Sequence, residues 1–289
     1  MTSREDVFEQ VKRIPPLPTA ATEVLPLLQD PDADPADIVR AITHDPILTA
    51  NVLRTANSPM FAGDRTVGSV QEALVRLGTK QILSLVLCSA VGPVASPAVS
   101  GYHLGEGSLW EHCVATAVAT EKFSAVIGER ANPMAFTAGL LCDIGKIAIG
   151  SFLEHDYAKV TELAFDRGMS FQLAEREVFG IDHAEAGAVL LEQWNLPEAV
   201  CDAVRWHHEP ESCPEPHRGI AELVHIADLA CCAGGFGTGD DGMNYEISDD
   251  LLKKNGLKPE HVEAALCETF TRLSELRQWI GETAGRTVS

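Results

Sequence analysis

Apolar residues recur along the chain at the three- and four-residue spacing of amphipathic helices. β-Branched residues nowhere alternate with polar ones for long, so strands are not indicated. In the first third of the chain the helical segments are short and separated by proline-containing turns, whereas from Ser108 onward they are longer. The pattern predicts an all-α protein in which an N-terminal bundle of short helices packs on a second helical domain.

Composition along the chain predicts where its parts begin and end. Residues 93–107 are rich in Pro, Ala, Ser and Gly and are interpreted as a hinge or linker. This divides an N-terminal helical subdomain, 1–92, from a second subdomain, 108–235. The remainder is predicted to form a solvent-exposed acidic loop at 237–242 and a C-terminal amphipathic helix within 236–280. The last residues, 281–289, are predicted to be a disordered tail.

Two acids in the N-terminal part are predicted to begin helices. Asp34 and Asp45 each precede a proline, which is the arrangement of an N-cap followed by proline at the first helical position. Asp45 also follows His44, and such a pair suits a metal. The position of Asp45 at a turn favours a helix-capping role over metal binding.

The segment 138–149, Ala-Gly-Leu-Leu-Cys-Asp-Ile-Gly-Lys-Ile-Ala-Ile, places one acid among apolar residues. A helix is predicted from Pro133 to Phe152, and on it Cys142, Asp143 and Lys146 would share a face. An unpaired carboxylate there would cost several kcal/mol, so Asp143 is expected to be a metal ligand or half of a buried ion pair. Replacing Asp143 by alanine should destabilise the fold in either case.

Charge and composition exclude several classes of function. The net charge of −20, from 42 acids and 22 bases, repels nucleic-acid phosphates, and no basic run counteracts it. The most apolar run, 82–91, is too short to cross a bilayer, and no apolar leader is expected at the N-terminus. The eight cysteines contain no CxxC pair and are expected to be reduced. A cytoplasmic protein without membrane insertion is predicted.

Metal-capable residues collect in the second half of the chain, on predicted helices or at their ends. They are His112, Cys142, Asp143, His183, His207, His208 and Asp228. Nitrogen and oxygen ligands from several helices suit iron, manganese or zinc. Each residue also has an ordinary structural interpretation. His112 fits a histidine of the core, and the pair His207-His208 fits cations favoured by the dipole at a helix C-terminus. The specific signal is the order and spacing of the set.

That order resembles the HD-domain metal-dependent phosphohydrolases. Four segments of the first half resemble the HDOD domain, the HD-related output domain of bacterial signalling proteins. They are Ile14-Pro-Pro-Leu-Pro18, Asp45-Pro-Ile-Leu48, Leu53-Arg-Thr-Ala-Asn-Ser58 and Ala73-Leu-Val-Arg-Leu-Gly78. The resemblance runs from about residue 8 to about residue 235. It implies an HD-like helical fold for 108–235.

The resemblance also implies a metal site for one or two ions. One ion would be held by His112, residue 142, Asp143 and Asp228, and the other by Asp143, His183, His207 and His208. Lys146 would neutralise a phosphate. This sequence departs from the HD pattern at Cys142, where the family has histidine. A thiolate ligand and a buried neutral thiol both remain open there.

A second departure concerns the branch of HD proteins that hydrolyses cyclic di-GMP. Its His-His-Glu continues into Asp-Gly-x-Gly-Tyr-Pro, whereas here His207-His208-Glu209 continues into Pro-Glu-Ser-Cys-Pro. The two departures favour a non-catalytic signalling or scaffold module. By resemblance, it would bind proteins of the sensor kinase or response regulator type. The alternative is a metal-dependent phosphohydrolase acting on a nucleotide or cyclic dinucleotide. In a third interpretation, the polar cluster is a metal-free hydrogen-bond network.

Overall fold

The described chain consists of helices joined by turns and loops, as the spacing of its apolar residues predicts. The computed structural model describes residues 2–30, 32–58, 61, 65–128, 132–242 and 247–284, without the side chains of 29 and 274–284. Within these ranges there is no strand, and an isolated antiparallel bridge joins Val99 to Leu104. The predicted all-α class is confirmed.

The chain divides into two units, of which the smaller covers 16–93. Its helices are α2 (Thr19–Gln29), α3 (Pro35–Thr43), α4 (Pro46–Ala56) and α5 (Val70–Ala95), the last of which ends just beyond the boundary. Both predicted caps are confirmed. Asp34 accepts a hydrogen bond from the backbone of Ala36, and Asp45 accepts two, from Ile47 and Leu48.

Helix α5 is interrupted at Gly78, whose φ of 76° and ψ of 163° are not helical. Positive φ is costly for residues with a Cβ atom, so glycine permits this break. The apolar segment after it, 82–91, is largely buried, as predicted for a core helix.

The larger unit covers 1–15 and 94–289. Its helices are α1 (Arg4–Arg13), α6 (Ser108–Val126), α7 (Ala135–Leu141), α8 (Lys146–Thr161), α9 (Phe171–Phe179), α10 (His183–Gln193), α11 (Glu198–Trp206), α12 (Glu215–Ala233), α13 (Asp249–Lys254) and α14 (Pro259–Ala284). Short turns lie at Ser100–Tyr102, Pro210–Ser212 and Asp240–Gly242. The proposed boundaries at 92, 107 and 235 remain predictions. Helix α14 extends beyond 280 to Ala284, and 285–289 lie outside the described residues.

Helix α6 forms the centre of this unit. Consecutive residues from Cys113 to Thr120 are all buried, so the helix is covered on every side. Helices α7, α12 and α14 pack against it. Helix α1 packs on α8 and α10 through Val7 and Val11, which are fully buried.

The helix predicted from Pro133 to Phe152 is wrong, because the chain turns at 142–145 between α7 and α8. In this turn the Lys146 amide donates to the Asp143 carbonyl over 3.0 Å, a hydrogen bond between residues three apart. Gly145 lies so close to α10 that an added Cβ would be 2.0 Å from the His183 carbonyl oxygen. The close approach of two backbones sets the turn, and it brings residue 143 beside His183.

Two helical stretches are long and apolar enough to cross a membrane by length and composition alone, Val70–Ala95 and Ala135–Asp166. Half of the most apolar window of the first and 83% of that of the second are buried inside the protein. Core helices pass the same test, so the two stretches are weak support for a membrane location.

We expect Gly145→Ala to destabilise the protein by at least about 1–3 kcal/mol, because the methyl group collides with backbone that cannot move aside. Gly219→Ala is the matched control. An added Cβ there has nothing within 4 Å, and alanine in a helix is favoured by about 0.5–1 kcal/mol. Urea denaturation of both variants measures the difference. Equal stability of Gly145→Ala and wild type would contradict the described contact.

Candidate metal centre

The carboxylate of Asp143 is fully buried in the turn between α7 and α8. Its Oδ2 atom lies 2.6 Å from Lys146 Nζ and 3.2 Å from His112 Nε2. Its Oδ1 atom faces the other way, 3.5 Å from His183 Nε2 and 3.8 Å from His207 Nε2. Burial opposes ionisation, but the Lys146 ammonium and the imidazoles hold the pKa of Asp143 below its usual range. One carboxylate therefore connects two groups of potential ligands.

The first group, the imidazole cluster, consists of His183, His207 and His208. One ring nitrogen from each lies within 4.8 Å of the others, and the Nε2 atoms of His183 and His208 are 2.8 Å apart. His183 begins α10 because the Asp182 side chain caps that helix, accepting from the Glu185 amide. The two other histidines follow the end of α11. Two helix ends thus bring three imidazoles together.

The rings of the imidazole cluster are oriented through their Nδ1 atoms. His183 Nδ1 lies 2.8 Å from the Glu175 carboxylate, and His207 Nδ1 lies 2.7 Å from the Val204 carbonyl oxygen. A carbonyl oxygen only accepts, so His207 Nδ1 carries the hydrogen and Nε2 keeps its lone pair. Among the described residues this buried Nε2 has no hydrogen-bond partner. Histidines that bind metals are commonly oriented in this way.

Two members of the imidazole cluster have opposite charge preferences. Burial lowers the pKa of His207 to about 4, which keeps the ring neutral. Burial also opposes a charge on His183, but the Glu175 carboxylate raises the pKa of that imidazole to about 9. In the metal-free protein His183 is therefore the cation of this cluster and His207 a neutral acceptor.

The second group, the mixed cluster, consists of His112 on α6 and Asp228 and Cys232 on α12. One ligand atom from each lies within 4.8 Å of the others. His112 Nδ1 is 2.9 Å from the Phe236 carbonyl oxygen, which again leaves Nε2 facing the site, 2.8 Å from Asp228 Oδ1. Burial opposes protonation, yet the hydrogen bond with Asp228 and the charge of Asp143 raise the pKa of His112 to about 8.

Lys146 is the buried cation of the site. Its ammonium forms ion pairs with Asp143 and with Asp241, and its side chain is 7% exposed. Burial favours the neutral amine, but these carboxylates raise the pKa of Lys146 well above its ordinary value. The interpretation of 237–242 as a solvent-exposed loop is wrong for Asp241, which is buried. Glycine at position 239 allows the loop to lie against the Tyr102 backbone, because an added Cβ would be 2.2 Å from the Tyr102 carbonyl oxygen.

Comparison with known proteins agrees with this architecture. The sequence model of the HDOD domain matches residues 14–210.

The chain belongs to the HDOD family.

Solved structures share its fold. An HDOD domain protein with unknown function from Geobacter sulfurreducens has a TM-score of 0.69 and 24% identity, over 96% of this chain and 95% of that one. A candidate phosphohydrolase from Shewanella amazonensis SB2B has a TM-score of 0.67 and 27% identity, over 92% and 93% of the two chains. A candidate signal transduction protein from Marinobacter aquaeolei VT8 has a TM-score of 0.74 and 23% identity, over 96% of this chain and 65% of that one.

Among curated proteins, an uncharacterised protein of Treponema pallidum (strain Nichols) is 25% identical over 224 residues. The match covers 77% of this chain and 43% of the relative. This chain therefore spans less than half the length of that relative.

Cys142, the departure from the HD pattern, joins neither cluster among the described residues. Its thiol donates to the Gly139 carbonyl oxygen over 3.2 Å, along its own helix. Burial and the neighbouring charge of Asp143 raise the pKa of the thiol well above its ordinary value. The structure brings the five remaining candidate ligands together around Asp143, and a ligand role for Cys142 stays a prediction.

Three residues of the site were missed in the sequence. Glu175 accepts hydrogen bonds from the Tyr102 hydroxyl and from both the amide and the ring of His183. Its position midway between Phe171 and Phe179, on the buried stripe of α9, was a usable signal. Cys232 follows Asp228 by one helical turn, and this spacing was also a usable signal that the two side chains share a face. Asp241 gave no signal, because it lies in an acidic glycine-rich loop.

We expect Lys146→Met to destabilise the metal-free protein by about 3–5 kcal/mol, since two buried carboxylates lose their partner. Lys159→Met is the matched control on the same helix. Lys159 pairs with Asp156 at the same three-residue spacing, but its side chain is 54% exposed, so we expect under about 1 kcal/mol. Urea denaturation with a chelator measures both. Similar losses in the two variants would contradict the assignment of Lys146 as the cation of a buried site.

Proposed function

We propose that this HDOD chain is a non-catalytic signalling module that retains one half of an HD metal site. The observation that carries the proposal is the pairing of the buried Lys146 ammonium with Asp143 and Asp241. By resemblance, Lys146 is the residue that would neutralise a substrate phosphate. Here its charge is already compensated by two carboxylates of the chain itself.

Burial supports the same conclusion. The side chains of the central residues are almost inaccessible, with residue exposures of 2% for His112, 0% for Asp143, 6% for Lys146, 1% for His183, 0% for His207 and 4% for Asp228. A phosphate ester would have to displace Asp241 to reach the ammonium. Displacing it would leave that carboxylate without its cation, which is unfavourable.

The residues present fit a transition metal at the imidazole cluster. Asp143 Oδ1 and His207 Nε2 are buried atoms without a hydrogen bond to any described residue, and both face this cluster. With His183 and His208 they offer three nitrogens and one oxygen, donors suited to iron, manganese or zinc. Four protein donors complete a structural site, where the bound ion would link the turn between α7 and α8, the start of α10 and the end of α11.

The alternative function is a metal-dependent phosphohydrolase acting on a nucleotide or cyclic dinucleotide. Its support is the retained ligand set together with the likeness, at 27% identity, to the candidate phosphohydrolase of Shewanella amazonensis. In this alternative Asp241 would leave Lys146 when substrate arrives. Asp143 and the imidazole cluster would hold the metal, which would supply Lewis-acid polarisation of a phosphoryl group.

The proposed partners are signalling proteins of the sensor kinase or response regulator type, as the family resemblance implies. The net charge of −20 favours protein partners over nucleic acid. A cytoplasmic location is proposed because the eight cysteines contain no CxxC pair and are expected to be reduced, as in a reducing compartment.

Metal analysis and a phosphodiesterase assay on anaerobically purified protein test the proposal. We expect at least about one transition metal per chain after reconstitution, as is typical of a preformed site. His207→Ala should lose this ion, whereas His155→Ala, an exposed histidine of α8, should keep it. Turnover of bis(p-nitrophenyl) phosphate and cyclic di-GMP should not exceed that of Asp143→Ala.

Robust metal-dependent turnover that Asp143→Ala abolishes would overturn the non-catalytic assignment in favour of the alternative. Metal content below about a tenth of an equivalent after reconstitution would contradict both metal-binding functions, because preformed sites bind tightly. In that case the cluster is a hydrogen-bond network.

A further inference from the structure

We propose that His112, Asp228 and Cys232 form a second metal site of mixed nitrogen, oxygen and sulfur ligands, suited to a thiophilic dication such as zinc. Cys232, rather than Cys142, supplies the sulfur. The site is separate from the imidazole cluster, and the experiment below distinguishes the two.

The distances in the mixed cluster are close to those of a tetrahedral ion. Zinc bonds of about 2.0–2.3 Å in a tetrahedron separate the ligand atoms by about 3.3–3.7 Å. In the structure His112 Nε2 is 2.8 Å and Cys232 Sγ is 3.9 Å from Asp228 Oδ1. Changes of about half an ångström would bring these two distances to tetrahedral values. The ligand atoms of His112 and Cys232 lie within 4.8 Å of each other.

The ligands are already oriented by their surroundings. His112 Nδ1 donates to the Phe236 carbonyl oxygen, so Nε2 is the nitrogen presented to an ion. Asp228 and Cys232 are four residues apart on α12 and therefore lie on one face of that helix. Helices α6 and α12 pack directly against each other, which fixes the distance between the histidine and the other two ligands.

The charges around the mixed cluster favour a dication. The carboxylates of Asp143, Asp228 and Asp241 all act on the single ammonium of Lys146. A dication bound at the mixed cluster would lie beside two of these carboxylates, because Asp228 Oδ1 and Asp143 Oδ2 are 2.8 Å and 3.2 Å from His112 Nε2.

Access also favours Cys232 over Cys142. Cys232 is half-buried and Cys142 is fully buried. The Cys142 thiol is occupied by the Gly139 carbonyl, whereas the Cys232 thiol contacts the Asp228 carboxylate. Cys232, one helical turn beyond Asp228, thus offers a ligand in place of the histidine that the HD pattern has at position 142.

Cobalt(II) titration of chelator-treated protein under anaerobic conditions tests this site. Cobalt bound to a thiolate gives a strong near-ultraviolet charge-transfer band, which imidazole and carboxylate ligands do not give. We expect the band in wild type and in Cys142→Ser, and its loss in Cys232→Ser. Circular dichroism and melting curves check that the serine variants are folded.

Wild-type protein that shows no sulfur band, whether or not it binds cobalt, would overturn the proposal without any variant. Loss of the band in Cys142→Ser, or its persistence in Cys232→Ser, would overturn the choice of ligand. His207→Ala should keep the band while removing cobalt from the imidazole cluster. If the imidazole cluster binds no metal, wild type still shows the band, with one cobalt per chain, so the failures of the two proposals are distinguishable.

Discussion

The contact between Asp143 and Lys146, in the turn that joins α7 to α8, is the interaction on which the rest of the site depends. Both groups are buried, so each would be costly alone, and their pairing at 2.6 Å keeps both charged. Lys146 also forms an ion pair with Asp241, in the loop before α13. Asp143 faces His112 on one side and His183 and His207 on the other. The polar centre is therefore a single connected network.

Backbone geometry makes that network possible. Gly145 allows the turn to lie against the start of α10, where any side chain would collide with the His183 carbonyl. Asp182 begins α10 one residue earlier, and Glu175 on α9 orients the His183 ring. These residues position the ligands through contacts with backbone and Nδ1 atoms, and they leave the Nε2 atoms directed inward.

Much of this arrangement was predictable from the sequence. The helical class follows from the apolar spacing. The resemblance to HD-domain phosphohydrolases named His112 and His183 together with Asp143, and their Nε2 atoms lie 3.2 Å and 3.5 Å from its carboxylate. The continuous helix from Pro133 to Phe152 was wrong because its interruption depends on contact with α10, which is distant in sequence. Local periodicity carries no information about such a contact. The burial of Asp241 escaped prediction for the same reason, since its partner Lys146 lies on another element.

Under the proposed function, the network accounts for an HD-type site that keeps its polar residues without catalysis. Removing single members of a buried charged cluster is unfavourable, so the ligands remain useful to stability even where no substrate binds. In that proposal the ion pair of Asp241 with Lys146 occupies the position of a phosphate, and the imidazoles keep donors for a metal. Signalling and metal binding are compatible in such a site, because neither requires that a substrate reach Lys146.

The free energy of unfolding of Asp143→Asn, measured by denaturant titration with a chelator present, tests the central role of this carboxylate most directly. The substitution keeps the shape of the side chain and removes its charge. We expect a loss of about 3–5 kcal/mol, since Lys146 and the protonated histidines lose their shared partner. Asp156→Asn on α8 removes the partner of Lys159, whose side chain is 54% exposed, and should cost under about 1 kcal/mol. Wild-type stability of Asp143→Asn would contradict the account.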